Sequence, residues 1–349
     1  MNFNEDDVRE KLKNVDDPEL EEDIVTLEMV EEIEVEDGEI ELVVDFANES
    51  LRRELAEDVK REVAKMSGVE SLRIEWAGDD GSSQESEMLP DVDKVIAVSS
   101  GKGGVGKSTV AVNMACALAK EDGVKAGILD ADVYGPNVPR MFGPTEQPKV
   151  TKEEEIIPPE KHDVKVMSMG YLTGEDSPVV WRGAMVHKAL TQLLGDVRWG
   201  ELDYLIVDLP PGTGDAQLTI AQTIPVTGAV IVTTPQDVSI DDARKGVEMF
   251  NEANVDVAGI IENMSDFICT ECGEKHEIFG EGGGKELAHE SDVDFLGSVP
   301  LNPEVRTSSD KGLPVVYVDD SQVGEAFEDV AENTGSKIDD LDSKKLPMV

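Results

Sequence analysis

Two sets of residues in this chain have the types and spacing to do chemistry. The first is a cysteine pair, Cys269 and Cys272, in "ENMSDFICTECGEKHEIFG", residues 262–280. Two thiolates in a C-x-x-C can close into a redox disulfide, or they can supply half of a tetrahedral metal site, which takes four ligands. The third cysteine, Cys116, lies mid-helix among small apolar residues in "NMACALA" and reads as core packing, so no second C-x-x-C completes the set. Three uses of the pair stay open on these residues: a disulfide, a zinc knuckle finished by other groups such as His276, or a thiolate set finished by a second copy of the chain.

The second set is "GKGGVGKST", residues 101–109, between the apolar run "VIAVSS" and the helical pattern "VAVNMACALAKE". It matches G-x-x-x-x-G-K-[ST] in the strand–loop–helix context that gives the pattern meaning. Glycine here lets backbone N–H groups turn inward on phosphate oxygens, and the following helix adds the partial positive charge of its N-terminus. The backbone of Gly101, Gly103, Gly104, Val105 and Gly106 is expected to cradle phosphates. Lys107 is expected to reach the β- and γ-phosphates, Ser108 to hold Mg²⁺, and Thr109 to follow at the nucleotide. Farther on, "YLIVDLPPGTGD" ends a strand in Asp208, a carboxylate placed to hold Mg²⁺ through water, with Gly212 as a γ-phosphate sensor. "ILDADVYGPN" ends another strand in Asp130 and Asp132.

These groups need a scaffold, and the apolar pattern supplies one. "KVIAVSS", "AGILDAD", "VKVMSMG", "DYLIVDLP", "GAVIVTTP", "VAGIIENM" and "VDFLGSVP" are short, nearly unbroken apolar runs separated by helical segments. Strands without polar alternation are buried on both faces, which predicts a mostly parallel sheet covered by helices on both sides. This α/β domain is expected over 93–335, with a helix at 322–333 and a flexible tail at 336–349. Residues 1–77 read as a small α+β domain. It has a helix at 5–14, an alternating hairpin "EEIEVEDGEIELVVDF" turning at Asp37-Gly38, a helix marked by Leu51, Leu55, Val59, Val63 and Met66, and a strand "SLRIEW". Residues 78–92, rich in Gly, Ser and acids, read as the linker.

Composition bounds the function. The formal net charge is -45, with 76 acidic against 31 basic residues spread along the whole length. A carboxylate-coated folded surface of this kind suits high salt, which shortens the Debye length to about 3 Å near 1 M and screens self-repulsion. It argues against nucleic-acid binding, which needs basic patches. No apolar run approaches the roughly 20 residues of a membrane span, and no secretory segment opens the chain. A reducing, cytoplasmic setting is therefore expected, in which a C-x-x-C is metal-binding or catalytic.

The early second lysine, Lys102 in "GKGGVGKS", resembles the deviant Walker A loop of the ATPases that include the MinD and ParA partition proteins, the nitrogenase iron protein and the Mrp/ApbC carriers. "WRGAMVHKALTQLL", "DYLIVDLPPGTGD", "IPVTGAVIVTTPQ", "IENMSDFICTECG", "IFGEGGGKELA" and "FLGSVPL" together resemble the Mrp/ApbC family of iron–sulfur cluster carrier ATPases, over about residues 93–318. The resemblance implies a P-loop NTPase fold and a cytosolic homodimer. It implies ATP and Mg²⁺ as ligands, and a labile cluster, [4Fe–4S] and bridging the dimer through Cys269 and Cys272, passed to apo-proteins with assembly factors as partners. It implies that Lys102 reaches the partner's nucleotide, Asp132 orients the attacking water, Asp130 lies near Mg²⁺, and Asn263 contacts adenine. "VDDPELEEDIVTLEMV" resembles the iron–sulfur-assembly domain fused ahead of many members. "VVDFANESLRREL" carries no cysteine where those domains often have one, so a docking role is expected of it. The rival functions are a MinD/ParA-like positioning ATPase, which predicts a basic amphipathic C-terminal helix, and a zinc-stabilised NTPase without cluster transfer.

Overall fold

The computed structural model describes residues 3–17, 22–27, 29–36, 39–46, 51–66, 69, 71–76, 89–132, 135–143, 146–152, 155–171, 190, 193–269, 272 and 274–343. It divides into two units, Met1–Glu87 with Ser343–Val349, and Met88–Asp342. The turn expected at Asp37-Gly38, the greater part of the expected linker, His187 and most of "WRGAMVHKALTQLL" lie outside the described residues.

The first unit runs α1 (Glu5–Leu12), β1 (Val30–Glu36), β2 (Glu39–Val44), α2 (Arg52–Val63) and β3 (Ser71–Trp76). Asn4 caps α1 in a capping box, accepting the Asp7 N–H at 3.1 Å while the Asp7 carboxylate accepts its own N–H at 3.0 Å. β1 and β2 pair antiparallel, and β2 and β3 pair parallel. Period-two alternation puts Ile33, Ile40, Leu42, Val44, Leu72 and Ile74 on one buried face, closed by Val8, Leu12, Leu55, Val59 and Val63 from the helices. The other face is carboxylate. Glu34 lies opposite Glu41, like charges paired across strands.

The second unit contains β4 (Val92–Ser99), α3 (Lys107–Ala119), β5 (Ala126–Asp130), α4 (Val138–Phe142), the short strands β6 (Lys149–Val150), β7 (Ile156–Ile157) and β8 (Glu160–Lys161), β9 (Val164–Ser168), β10 (Leu202–Asp208), α5 (Asp215–Thr223), β11 (Gly228–Thr233), α6 (Asp237–Glu252), β12 (Val257–Ile268), β13 (Lys275–His276), α7 (Gly283–Glu290), β14 (Phe295–Leu301), α8 (Pro303–Ser309) and α9 (Gln322–Asp342). The main sheet has the order β13-β12-β11-β4-β10-β5-β9-β8, with β14 also on β12. All pairings from β14 through β9 are parallel, and the short β8 and β13 are antiparallel additions. One apolar layer packs residues of α6 and α7, such as Phe250 and Leu287, on one face of the sheet. The other packs α3, α4 and α9 on the opposite face. The doubly covered parallel sheet of an α/β domain is thus present, as the unbroken apolar runs require.

Two elements exceed their expected length. β12 continues through "NMSDFI" to Ile268 and does not stop at Met264. The C-terminal helix expected over 322–333 continues as α9 to Asp342, into the segment expected to be a flexible tail. The cause is long-range packing. Ile338 is fully buried, and the sheet leaves space for it at Gly228, where an added Cβ would lie 2.7 Å from Ile338 Cδ1 and 3.0 Å from Leu341 Cδ1. On the polar side Asp339 accepts the Tyr204 hydroxyl at 2.8 Å and pairs with Lys94 at 3.0 Å. Ile338→Ala is therefore expected to lower stability by about 2–5 kcal/mol in denaturant unfolding, the range for a large-to-small change in a core. A loss under about 0.5 kcal/mol, the surface value, would show that this last turn is not docked.

Candidate functional site

The parallel register sets the site. Asp208 of β10 lies beside Val98 of β4 and Asp130 of β5, and Asp130 lies beside Ser168 of β9. The carboxyl ends of four adjacent strands therefore finish at one level, where open α/β sheets bind ligands. All four end in polar groups that are fully buried, Ser99, Asp208, Asp130 and Ser168.

The phosphate-binding loop leaves β4 and is fixed from two sides. Gly101 rests on the backbone of α6, and a Cβ there would lie 2.1 Å from the Asp242 carbonyl oxygen. Gly106 has φ +83° and opens α3, and its added Cβ would lie 2.2 Å from Asn263 Nδ2. Asn263 donates from Nδ2 to the Val105 carbonyl at 2.8 Å. The residue expected at adenine is thus bonded to the loop itself. Val105 is buried, Gly103 and Gly104 are exposed, and Lys102, Ser108 and Thr109 are half-buried at the loop's mouth.

Lys107 begins α3 and its ammonium donates to Asp208 Oδ1 at 2.5 Å. Both side chains are out of solvent, and Asp208 Oδ2 is buried with no hydrogen-bond partner among the described residues. Burial pushes the Asp208 carboxyl above the ordinary carboxylate range, while the Lys107 ammonium and the neighbouring Ser108 hydroxyl pull it back. Asp130 has no ammonium beside it. Burial first, and then the Asp208 charge, push it up to about 8. Of the two neighbouring acids, Asp208 is the one that faces an ammonium, and Asp130 is held by donors from the protein.

Asp130, which the resemblance puts near Mg²⁺, accepts three hydrogen bonds from the surrounding protein. Its Oδ1 accepts the Asp132 N–H at 3.2 Å, and its Oδ2 accepts the Val138 N–H at 3.1 Å and the Ser168 hydroxyl at 3.0 Å. Asp132 stands at the rim with Oδ1 accepting the Gly135 N–H at 3.2 Å. Gly212, expected to meet a γ-phosphate, has φ +108° and donates its N–H to the Ser100 carbonyl at 2.9 Å, which ties its loop to the start of the phosphate loop. Gln217 holds the same loop, donating to the Pro211 carbonyl at 2.6 Å and accepting the Gly214 N–H at 3.0 Å.

The cysteines lie at the far end of β12. Beyond Asn263 the strand passes Met264 at φ +57° and pairs with β13 through Phe267 to His276 and Ile268 to Lys275. Cys269 continues that hairpin, donating its N–H to the Glu274 carbonyl at 3.0 Å. Cys269 is half-buried and Cys272 exposed, whereas burial pushes the Cys116 thiol far up and leaves it inert packing. Residues 270, 271 and 273 lie outside the described residues. Among the described residues no group of three or more His, Cys, Asp or Glu side chains is arranged to hold a metal ion. His276, the knuckle candidate, is exposed, its ring 6.4 Å from that of Phe267.

Three residues at the site escape a motif search. Glu262, one residue before Asn263, is buried and accepts the Gly282 and Gly284 N–H groups at 3.2 and 2.6 Å, anchoring the N-terminus of α7. Its signal is an acid inside an apolar strand run. Ser168 and Gln217 give no local signal.

Comparison with known proteins agrees with this geometry. Residues 91–334 match the family model described as NUBPL iron-transfer P-loop NTPase, and residues 5–76 match that of an iron-sulfur cluster assembly protein. An iron-sulfur cluster carrier protein of Synechocystis sp. is 42% identical over 341 residues, covering 94% of this chain and 96% of that one. One of Deinococcus radiodurans is 43% identical, covering 96% of each. A nucleotide-binding protein of Archaeoglobus fulgidus, solved with ADP, is 39% identical with a TM-score of 0.60, covering 70% of this chain and 97% of that one. The cell division ATPase MinD of Pyrococcus furiosus, 20% identical with a TM-score of 0.53 over 69% of this chain and 98% of that one, shares the fold.

The buried pair generates a stability test. Lys107→Met leaves Asp208 enclosed with neither oxygen paired to a cation, and removing one partner of a buried pair costs on the order of 3 kcal/mol. Lys107→Met with Asp208→Asn, which removes the stranded charge, is expected to recover most of that loss in denaturant unfolding of the nucleotide-free protein. A double variant no more stable than the single one would mean that the pair does not carry the effect.

Proposed function

This chain belongs to the NUBPL-type family of iron-transfer P-loop NTPases, and from that premise we propose that it is an ATP-dependent carrier that binds an iron–sulfur cluster and delivers it to apo-proteins. The observation that carries the reading is a half-exposed thiol pair at the tip of a hairpin whose long strand, β12, also holds the phosphate loop through Asn263.

The nucleotide side follows from the chain's own groups. The inward amides of the loop and the α3 N-terminus bind the triphosphate. Lys107 leaves Asp208 for the β- and γ-phosphate oxygens, which frees both Asp208 oxygens. Asp208 Oδ2, buried and without a partner, fits an ion's hydration shell, and Ser108 with Asp208 would hold Mg²⁺. When bound, Mg²⁺ supplies positive charge against the phosphate oxygens. Asp132 at the rim orients the attacking water. Hydrolysis is expected to be slow, since no strong base accompanies Asp132 among the described residues. Lys102 at the mouth of the loop reaches the nucleotide of a second copy, which makes the working form a homodimer.

The cluster is cargo. One chain offers two thiolates, and the described residues around them add no further ligand set. A two-fold axis sets the same patch against itself, so two pairs make Cys₄ for one bridging [4Fe–4S] cluster. Because β12 links the loop to the hairpin, nucleotide exchange in the dimer changes the grip on the cluster. The first unit serves docking of assembly factors or recipients. The positioning-ATPase alternative is disfavoured by α9, which carries Asp339, Asp340 and Asp342 where that reading needs a basic face. Among the described residues no helix is long and apolar enough to cross a membrane, and we place the protein in the cytoplasm.

Anaerobic reconstitution tests the carrier reading. Iron and sulfide counts with an absorption spectrum are expected to give one cluster per dimer, lost in Cys269→Ala and in Cys272→Ala. A cluster on a monomer, or one kept after both substitutions, would overturn the bridging arrangement.

The surface carries a separate expectation, that the protein is adapted to high salt. The net charge of -45 and facing carboxylates such as Glu34 with Glu41 repel one another, and the repulsion is screened as the Debye length falls from about 10 Å at 0.1 M to about 3 Å at 1 M. The melting temperature is expected to rise with KCl into the molar range, and a flat or falling curve would contradict the adaptation.

A further inference from the structure

We propose that Ser168 is a positioning residue for nucleotide hydrolysis, acting through Asp130 to hold Asp132 in place. The inference rests on the reading of Asp132 as the group that orients the attacking water.

The register is the starting point. Ser168 is the last residue of β9 and lies beside Asp130, the last residue of β5, in parallel pairing. Both are fully buried. Ser168 donates its hydroxyl to Asp130 Oδ2 at 3.0 Å, and its oxygen accepts the Gly170 N–H at 3.0 Å. A serine hydroxyl has one proton to give, and here it is given to Asp130 while a backbone amide fixes the rotor from the other side. The direction of that proton is thereby determined.

Asp130 passes the constraint on. With Oδ2 held by Ser168 and Val138, its carboxyl plane has one orientation, and Oδ1 then meets the Asp132 N–H at 3.2 Å. The Asp132 and Val138 amides thus meet on one buried carboxyl, and Asp132 Oδ1 in turn accepts the Gly135 N–H. A second contact reaches the same segment. An added Cβ on Gly170 would lie 3.2 Å from Ser168 Oγ and 3.2 Å from Pro136 Cβ and Cγ, so the chain after β9 packs directly on the segment that carries Asp132. Without the Ser168 hydroxyl, Asp130 Oδ2 keeps one donor of two, the carboxyl turns more freely, and Asp132 loses the reference against which its backbone is set. Among the described residues the hydrogen-bond partners of Ser168 are Asp130 and Gly170 and no residue of the phosphate loop, so nucleotide affinity is expected not to depend on it.

The bland role is satisfaction of a buried acid, which would move stability alone. The test is Mg-ATP turnover by the full chain, followed by phosphate release, with melting temperature alongside. Ser168→Ala is expected to lower kcat by about tenfold or more with KM for ATP changed less than about twofold, the split for an interaction made only on the way to the transition state. Ser168→Thr, which keeps the hydroxyl, is expected to restore kcat to within about threefold of the parent. Gly170→Ala, which presses on Ser168 and Pro136 and removes no polar group, is expected to lower kcat in the same sense, and it serves if Ser168→Ala does not fold. Asp132→Asn is the reference and is expected to lose about a hundredfold in kcat, the scale for misplaced reacting groups. A kcat for Ser168→Ala within about twofold of the parent while Asp132→Asn is impaired would overturn the role of Ser168 alone. So would a loss that Ser168→Thr shares in full, or, where Ser168→Ala does not fold, a Gly170→Ala variant with parental kcat. An Asp132→Asn variant with parental turnover would overturn the reading of Asp132 and the inference with it.

Discussion

The ion pair between Lys107 and Asp208 is the constraint to which the rest of the site conforms. An enclosed charge is costly unless paired, so Lys107 and Asp208 hold each other, and each further carboxyl buried beside them needs donors of its own. Asp130, one strand over, is pushed above the ordinary carboxylate range by burial and by the Asp208 charge. It is a local organiser, gathering the Asp132 and Val138 amides and the Ser168 hydroxyl. The pair also sets the resting condition of the phosphate loop, since the lysine that would serve a triphosphate has a partner until one arrives. Binding thus exchanges one buried charge pair for another, and the unpartnered Asp208 Oδ2 marks where the freed carboxylate would meet an ion's hydration shell.

β12 extends the same logic to the cysteines. Within three successive residues it buries a carboxylate on the α7 N-terminus, places a carboxamide on the phosphate loop, and kinks at a left-handed methionine. The strand then runs on to Cys269. A non-glycine residue with φ +57° is held there only because the surroundings over-determine it, and such positions cluster at functional sites. The thiol pair is therefore mounted on an element whose inner end is bolted to the nucleotide loop, while its outer end, beyond Met264, pairs among the described residues with the short β13 and the end of β14.

Much of this was legible in the residues alone, and the legible part has a common character. The phosphate loop reads directly because its glycines, Lys107 and Ser108 are contiguous and because "VIAVSS" and "VAVNMACALA" declare a strand before it and a helix after it. The seven apolar runs announce buried parallel strands because burial on both faces removes polar alternation. The hairpin of the first unit reads from its period of two. The C-x-x-C declares chemistry by composition. In each case the deciding interactions lie within a few residues of one another, or with a solvent environment that every residue of the run shares.

What tertiary structure alone decided is pairing across distance. Asn263 sits on Val105 from 158 positions away, and Ser168 meets Asp130 from 38. Both follow from strand order and register, which no local preference specifies. The three donors that converge on Asp130, and the bond from the Gly212 N–H to the Ser100 carbonyl, likewise had no signal in the local sequence. The last turns of α9 looked like a polar tail, because Ile338 and Leu341 are sparse among acids. They are helical because Gly228, more than a hundred residues earlier, leaves the space they fill. Sequence determines which segments must be buried and which groups can do chemistry. The order in which the strands assemble determines which of those groups face one another, because side-chain contacts at the strand ends are made between neighbours in the sheet and not between neighbours in the chain.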